Sequence, residues 1–249
     1  MITVVNYSKK LSDTDASAMV DACRWQLLHH AAPAWKRSAM PIIFQKSDRW
    51  PKSDYAIGIW DAPDMEGVLG YHTEEKGQIS GRVFVDPVLA GGGTFLGDAH
   101  KPLEGSVSSV LSHEILEFFG DPFCNAWYDG PSIKEGFQYC CEICDPVEAH
   151  SYPVSVTSGS VMVSNFVWPA WFDPQADKAE TLDQMQVLKA PFTLAEGGYF
   201  VVRSKAGKEK EVFAAHRPAW KLESKRHPLA RTAQRLAKGQ RLLVEHSDE

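Results

Sequence analysis

The chain has 249 residues, 44% apolar and 23% charged, with 18 glycines and 15 prolines, a composition that excludes a disordered, collagenous or coiled-coil protein. The formal charge of −6 conceals an asymmetry: the last 49 residues hold 12 Lys or Arg against 6 Asp or Glu, and the first 200 hold 14 against 26. An acidic body repels a phosphate backbone, so no nucleic acid is expected as a partner beyond what a basic tail alone would bind.

No run approaches the roughly 18 apolar residues that a membrane span requires. The opening MITVVNYSKK has no basic region followed by an apolar signal core, and the five cysteines, at 23, 124, 140, 141 and 144, are odd in number. A cytoplasmic protein of a reducing compartment, with no membrane partner, is expected. A chain of this size buries enough apolar surface to fold without a disulfide or a structural metal.

In chain order, Ile2 to Tyr7 is short, β-branched and aromatic and predicts a strand. Ser12 or Asp13 then caps a helix running to about His30, which Pro33 closes. Strands follow at Pro41 to Gln45, Tyr55 to Trp60, Gly67 to His72 and Gly81 to Asp86, each bounded by turn residues. Gly91, Gly92 and Gly93 form a loop without the Lys-Ser/Thr ending of a phosphate cradle. Leu103 to Phe119 has the strongest helical period, with Val107, Leu111, Ile115 and Phe118 on one stripe, and Gly120 and Pro122 stop it. Asp121 to Asp173 is rich in turns and aromatics. Beyond it, a short helix is expected at Lys178 to Leu188, a hairpin joining Phe200 to Arg203 with Glu211 to Phe213, and a basic helix at about 227 to 244. We expect a single domain over 1–226, with subdomains of about 1–121 and 122–226, and a basic tail over 227–249.

The long helix carries His113-Glu114-Ile115-Leu116-Glu117. Positions 113 and 117 differ by about 40° around the axis and about 6 Å along it, so both side chains reach one ion. Leu111 and Ile115 lie about 160° away, which leaves the buried stripe and the ligand pair on opposite sides of the helix.

This helix resembles the active-site helix of the zincin metallopeptidases, whose His-Glu-x-x-His signature supplies two zinc ligands and a general-base glutamate. Here the second His is Glu. The strand, helix and strands before it are also similar to the zincin N-terminal subdomain. The resemblance implies an α+β fold with a mixed, mostly parallel N-terminal sheet, an antiparallel edge strand within Tyr55 to Asp86 that pairs with extended substrate, and a loop-rich C-terminal part. By the same likeness His113 is the first ligand, Glu114 the base that activates a metal-bound water, and Glu117 the second ligand. Two carboxylate ligands favour a harder ion than two imidazoles do; zinc is the first choice, with manganese, iron or calcium open.

The third ligand comes from elsewhere. Glu142 with Asp145 resembles the later acidic pair of one zincin branch and ranks first. Another branch places Gly three positions after the second ligand, as Gly120 is, but its further ligand position is Phe123. Asp121, His150, His100 and Asp145 remain candidates. Cys140, Cys141 and Cys144 give C-C-x-x-C, compatible with a zinc knuckle, a redox pair or plain buried thiols. Asn165 to Phe172 packs four aromatics into seven positions, as a substrate groove or a core plug. Tyr152, Tyr139 or His150 are candidates for holding an oxyanion. The sequence thus supports a metal-dependent peptidase acting on a peptide or protein substrate, or a non-catalytic zincin-like protein that binds a structural ion and meets a partner through an aromatic surface.

Overall fold

The computed structural model describes residues 1–215 apart from 66, 76, 77 and 133. The expected basic helix at 227 to 244 lies outside the described residues. No described helix is long and apolar enough to cross a membrane.

The chain opens with β1 (Ile2–Asn6) and α1 (Asp13–Gln26). Ser12 caps α1, its Oγ accepting from Asp15 N at 3.0 Å, with Asp13 and Asp15 in the positive first turn. Pro33 does not close this helix. A π-turn over Leu27–Ala31 leads into α2 (Ala32–Ala34), and the helical path ends where Lys36 takes φ 50°. The wider turn bonds Ala32 N to Leu27 O, so the proline lacking an N–H enters at the start of a new turn rather than breaking an α-helical ladder.

Strands β2 (Ile42–Phe44), β3 (Tyr55–Trp60), β4 (Gly70–Glu75) and β5 (Gln78–Phe84) complete a five-stranded sheet in the order β2-β1-β3-β5-β4. Its pairings are parallel except β4 with β5, so β4 is an antiparallel edge. Both of these strands are displaced from the expected Gly67 to His72 and Gly81 to Asp86. Glu75 opposes Gln78 in the antiparallel pair, and Asp86 leaves the sheet because Pro87 sits in the first turn of α3 (Val85–Ala90).

Helix α4 (Val107–Gly120) follows the glycine loop. Ser106 Oγ accepts from Ser109 N at 3.0 Å and Ser109 Oγ accepts from Ser106 N at 3.1 Å, a reciprocal cap that fixes where the helix starts. Arg37 donates to the carbonyls of Phe119 and Gly120 at 3.2 and 3.0 Å and satisfies the other end. The helix packs against α1, β4, β5 and later strands, and residues 111–120 are buried on every side, not only along the expected stripe.

The second half is not only loop. Strands β6 (Trp127–Asp129), β7 (Gln138–Cys140), β10 (Tyr199–Arg203) and β11 (Glu209–Phe213) form an antiparallel sheet, and β8 (Ser151–Val156) with β9 (Gly159–Ser164) forms a hairpin. The β8–β9 hairpin lies on α1 and α4. The helix expected at Lys178 to Leu188 is absent. Asp183 is fully buried and its carboxylate accepts from the backbone N–H groups of Met185, Val187 and Leu188, donors that a helix would have used. Phe166, Trp171 and Phe172 are buried in the main core, which runs from Ile2 to Ala195, so most of the aromatic stretch is a plug and not a surface for a partner.

Candidate metal centre

A buried His-Glu-x-x-Glu cluster on α4, with Cys144 beside it, forms a potential divalent-cation site consistent with a zincin-like centre. The ligand atoms of His113, Glu117 and Cys144 all lie within 4.8 Å of one another. His113 is 6% exposed and Glu117 0%. Asp145, also 0% exposed, begins a short 3-10 turn over Asp145–Val147. It places Oδ1 3.3 Å from His113 Nε2, while Glu117 Oε1 stands 3.6 Å from the same nitrogen.

These separations test whether the residues fit a cation. Two donors about 2.1 Å from one ion at a tetrahedral angle stand about 3.4 Å apart. His113 Nε2 is buried and makes no hydrogen bond, although two carboxylates face it. The backbone N–H groups of Ile143 and Cys144 donate to Glu117 Oε2 and Oε1 at 3.1 and 2.9 Å, which fixes the carboxylate in the way that outer-sphere bonds orient metal ligands. Burial, and next the charge of Asp145, push the Glu117 carboxyl well above the usual carboxylate range. Two acids crowded beside an imidazole in a dry interior are what a bound cation would neutralise. Burial and then Glu117 push the Cys144 thiol up as well, so its sulfur, like the Glu117 carboxylate, would need the cation to hold it ionised.

Glu114 adjoins this set along the helix and is 1% exposed. Its Oε2 is 3.2 Å from His72 Nδ1 on β4. Its Oε1 lies beneath Gly70, where a Cβ would come within 2.9 Å of it. The edge strand therefore approaches the glutamate through a glycine and a histidine.

Of the third-ligand candidates, the structure brings Asp145 to His113. Glu142 is buried and lies 3.7 Å from the Cys140 thiol. Asp121 caps the end of α4, bonding its N–H to Glu117 O and accepting from Ala126 N at 2.7 Å. His100 is exposed, with its backbone N–H bonded to Asp98. His150 is half-buried at the start of the hairpin, its backbone N–H bonded to Val147 O. Cys144 alone of the C-C-x-x-C thiols joins the cluster. Tyr152 OH contacts Gln26 Nε2 and His30 Nδ1 at 3.0 and 2.9 Å, and the Tyr139 ring packs edge-on or tilted against Trp171, Phe192 and Phe200.

Two residues near Glu114 had no signal in the sequence. Cys124 Sγ lies 2.8 Å from His72 Nε2. Burial lowers the affinity of the His72 ring for a second proton, but Cys124 and Glu114 outweigh that and hold it up at about 10. The contacts join positions 42 and 52 residues apart, so no local spacing reveals them.

No family model, curated protein or solved structure matches the chain. The zincin likeness accordingly stands on the motif, the sheet and the buried cluster.

Proposed function

We propose that the protein is a metal-dependent hydrolase of peptide bonds, in which His113, Glu117 and Asp145 hold one divalent cation and Glu114 is the base. The observation that carries this reading is His113 Nε2, buried, without a hydrogen bond, and faced by carboxylate oxygens at 3.3 and 3.6 Å. Asp145 takes the place that the sequence assigned first to Glu142. A cation held by this set would supply Lewis acidity towards a peptide carbonyl. Zinc suits one imidazole and two carboxylates, and manganese or iron would also be accepted.

Glu114 would take a proton from water on Oε1 while His72 holds Oε2, and would return it to the leaving amine. Burial of all four side chains keeps bulk water from competing for that proton. Strand β4 pairs only with β5 among the described strands, and an extended peptide added to its other edge would pass next to Glu114. The continuous core from Ile2 to Ala195 supports treating the described residues as one working domain, and the expected boundary at 226 lies outside them. The five thiols, none in a disulfide, suit the reducing cytoplasm in which we place the protein.

The test compares wild type with Glu114→Gln, measuring bound metal by elemental analysis and cleavage of an unstructured protein such as casein. The variant should keep one equivalent of metal and lose activity by about 10²- to 10⁴-fold. Equal cleavage by both proteins, or wild type that neither binds metal nor cleaves, would refute the proposal.

A further inference from the structure

The Asp121 to Cys124 turn, immediately after α4, carries chemistry that the cation set does not use. Cys124 N bonds back to Asp121 O at 3.1 Å, and the Asp121 carboxylate clamps the turn through Ala126 N. Cys124 has φ 50°, a left-handed backbone uncommon for a residue with a side chain and often found where a functional group must be held at a fixed angle. Of the five cysteines it is the one not buried. Its sulfur is within hydrogen-bond reach of His72 Nε2, and His72 Nδ1 is within reach of the Glu114 carboxylate. A nucleophile, a base and a carboxylate that orients the base, in series, form the arrangement that activates thiols.

We infer that Cys124, His72 and Glu114 form a nucleophilic thiol that accepts acyl groups from esters, a second activity beyond the metal-dependent one. The Cys124 S–H proton passes to His72 Nε2, and the thiolate attacks the ester carbonyl carbon, forming a C–S bond. The C–O bond to the leaving alcohol breaks, and the alkoxide takes the proton from His72. Water then attacks the thioester with His72 as base. The C–S bond breaks, the proton returns to sulfur, and the net reaction is ester plus water to acid plus alcohol. Glu114 keeps the Nδ1–H side of the ring pointed inward throughout. Phe123, 52% exposed and adjacent to Cys124, offers an apolar surface for the acyl or aryl part. The high proton affinity of His72 agrees with an imidazolium–thiolate pair.

The test mixes the full chain with p-nitrophenyl acetate, with and without EDTA, and maps the acetyl group by mass spectrometry. A single acetyl on Cys124 is expected, formed about 10²-fold faster than on glutathione at the same pH and persisting in EDTA. His72→Gln should lose that advantage. Acetylation of Cys124 no faster than glutathione would overturn the inference with no variant needed. Reactivity that disappears in EDTA would assign it to the cation centre and overturn it too, whereas failure of the peptidase alone would leave this result untouched.

Discussion

Gly198→Ala perturbs the proposed metal centre from 53 residues away in sequence. A Cβ at Gly198 would overlap the Pro146 carbonyl oxygen, stand 2.6 Å from Pro146 C and lie 3.1 Å from Asp145 O, all backbone atoms of the turn that presents Asp145. Ordinary contact begins near 3.4 Å, so strand and turn must part by roughly 1 Å in a close-packed interior. Overpacking of this kind costs about 1 to 3 kcal/mol, and the upper end applies because no flexible side chain can yield. The melting temperature should fall by about 6 to 12 °C for a loss of 3 kcal/mol. The cation provides the sharper readout. At a free zinc concentration of 100 Kd, wild type should gain about 2.7 kcal/mol in urea unfolding. Displacing Asp145 should weaken binding by about 10- to 100-fold, cutting that gain to between about 1.4 and 0.4 kcal/mol at the same zinc concentration. A variant that is less stable yet still gains the full 2.7 kcal/mol would show that the turn carries no ligand.

Two further outcomes follow from buried carboxylates. Glu117 holds its proton more tightly folded than unfolded, through burial and then Asp145, so over that window the folded chain binds more protons and stability without metal falls as pH rises above the ordinary carboxylate range. Chelated protein should lose stability from about pH 5 upward, and Glu117→Gln should flatten the slope; urea titrations at several pH values check this, and an unchanged slope in the variant contradicts it. Asp183→Ala strands the Asn165 side-chain amide and the backbone N–H groups of Val187 and Leu188, bonded to the carboxylate at 2.8, 3.2 and 2.8 Å, while Met185 N keeps Asn165 Oδ1, and should cost about 3 to 5 kcal/mol in urea unfolding. A loss under about 1 kcal/mol would mean that water replaces the carboxylate.

The elements set by local chemistry were legible in the sequence. Ser12 caps α1, a short β-branched and aromatic run marks β1, turn residues bound β3, and the period of Val107, Leu111, Ile115 and Phe118 marks α4. The candidate ligand pair His113 and Glu117 was visible because one helical turn fixes both. What failed depended on distant partners. Lys178 to Leu188 has a helical pattern, but Asp183 is drawn into the core by Asn165 and takes the backbone donors with it. Asp145 ranked below Glu142 on the resemblance alone, since which of two acids three residues apart in a turn faces His113 depends on the backbone path, here held by the Ile143 and Cys144 N–H groups that grip Glu117. His72 meets Glu114 and Cys124 only through the pairing of β4 with β5 and the packing of both against α4.

X-ray absorption at the zinc edge on the reconstituted protein tests most directly whether His113, Glu117 and Asp145 share one ion. We expect one equivalent of zinc with a shell of nitrogen and oxygen at about 2.0 to 2.2 Å and no sulfur near 2.3 Å, retained in Glu142→Gln and lost in His113→Ala and Asp145→Asn. A sulfur shell from Cys144, or metal lost from Glu142→Gln but kept by Asp145→Asn, would contradict the assignment.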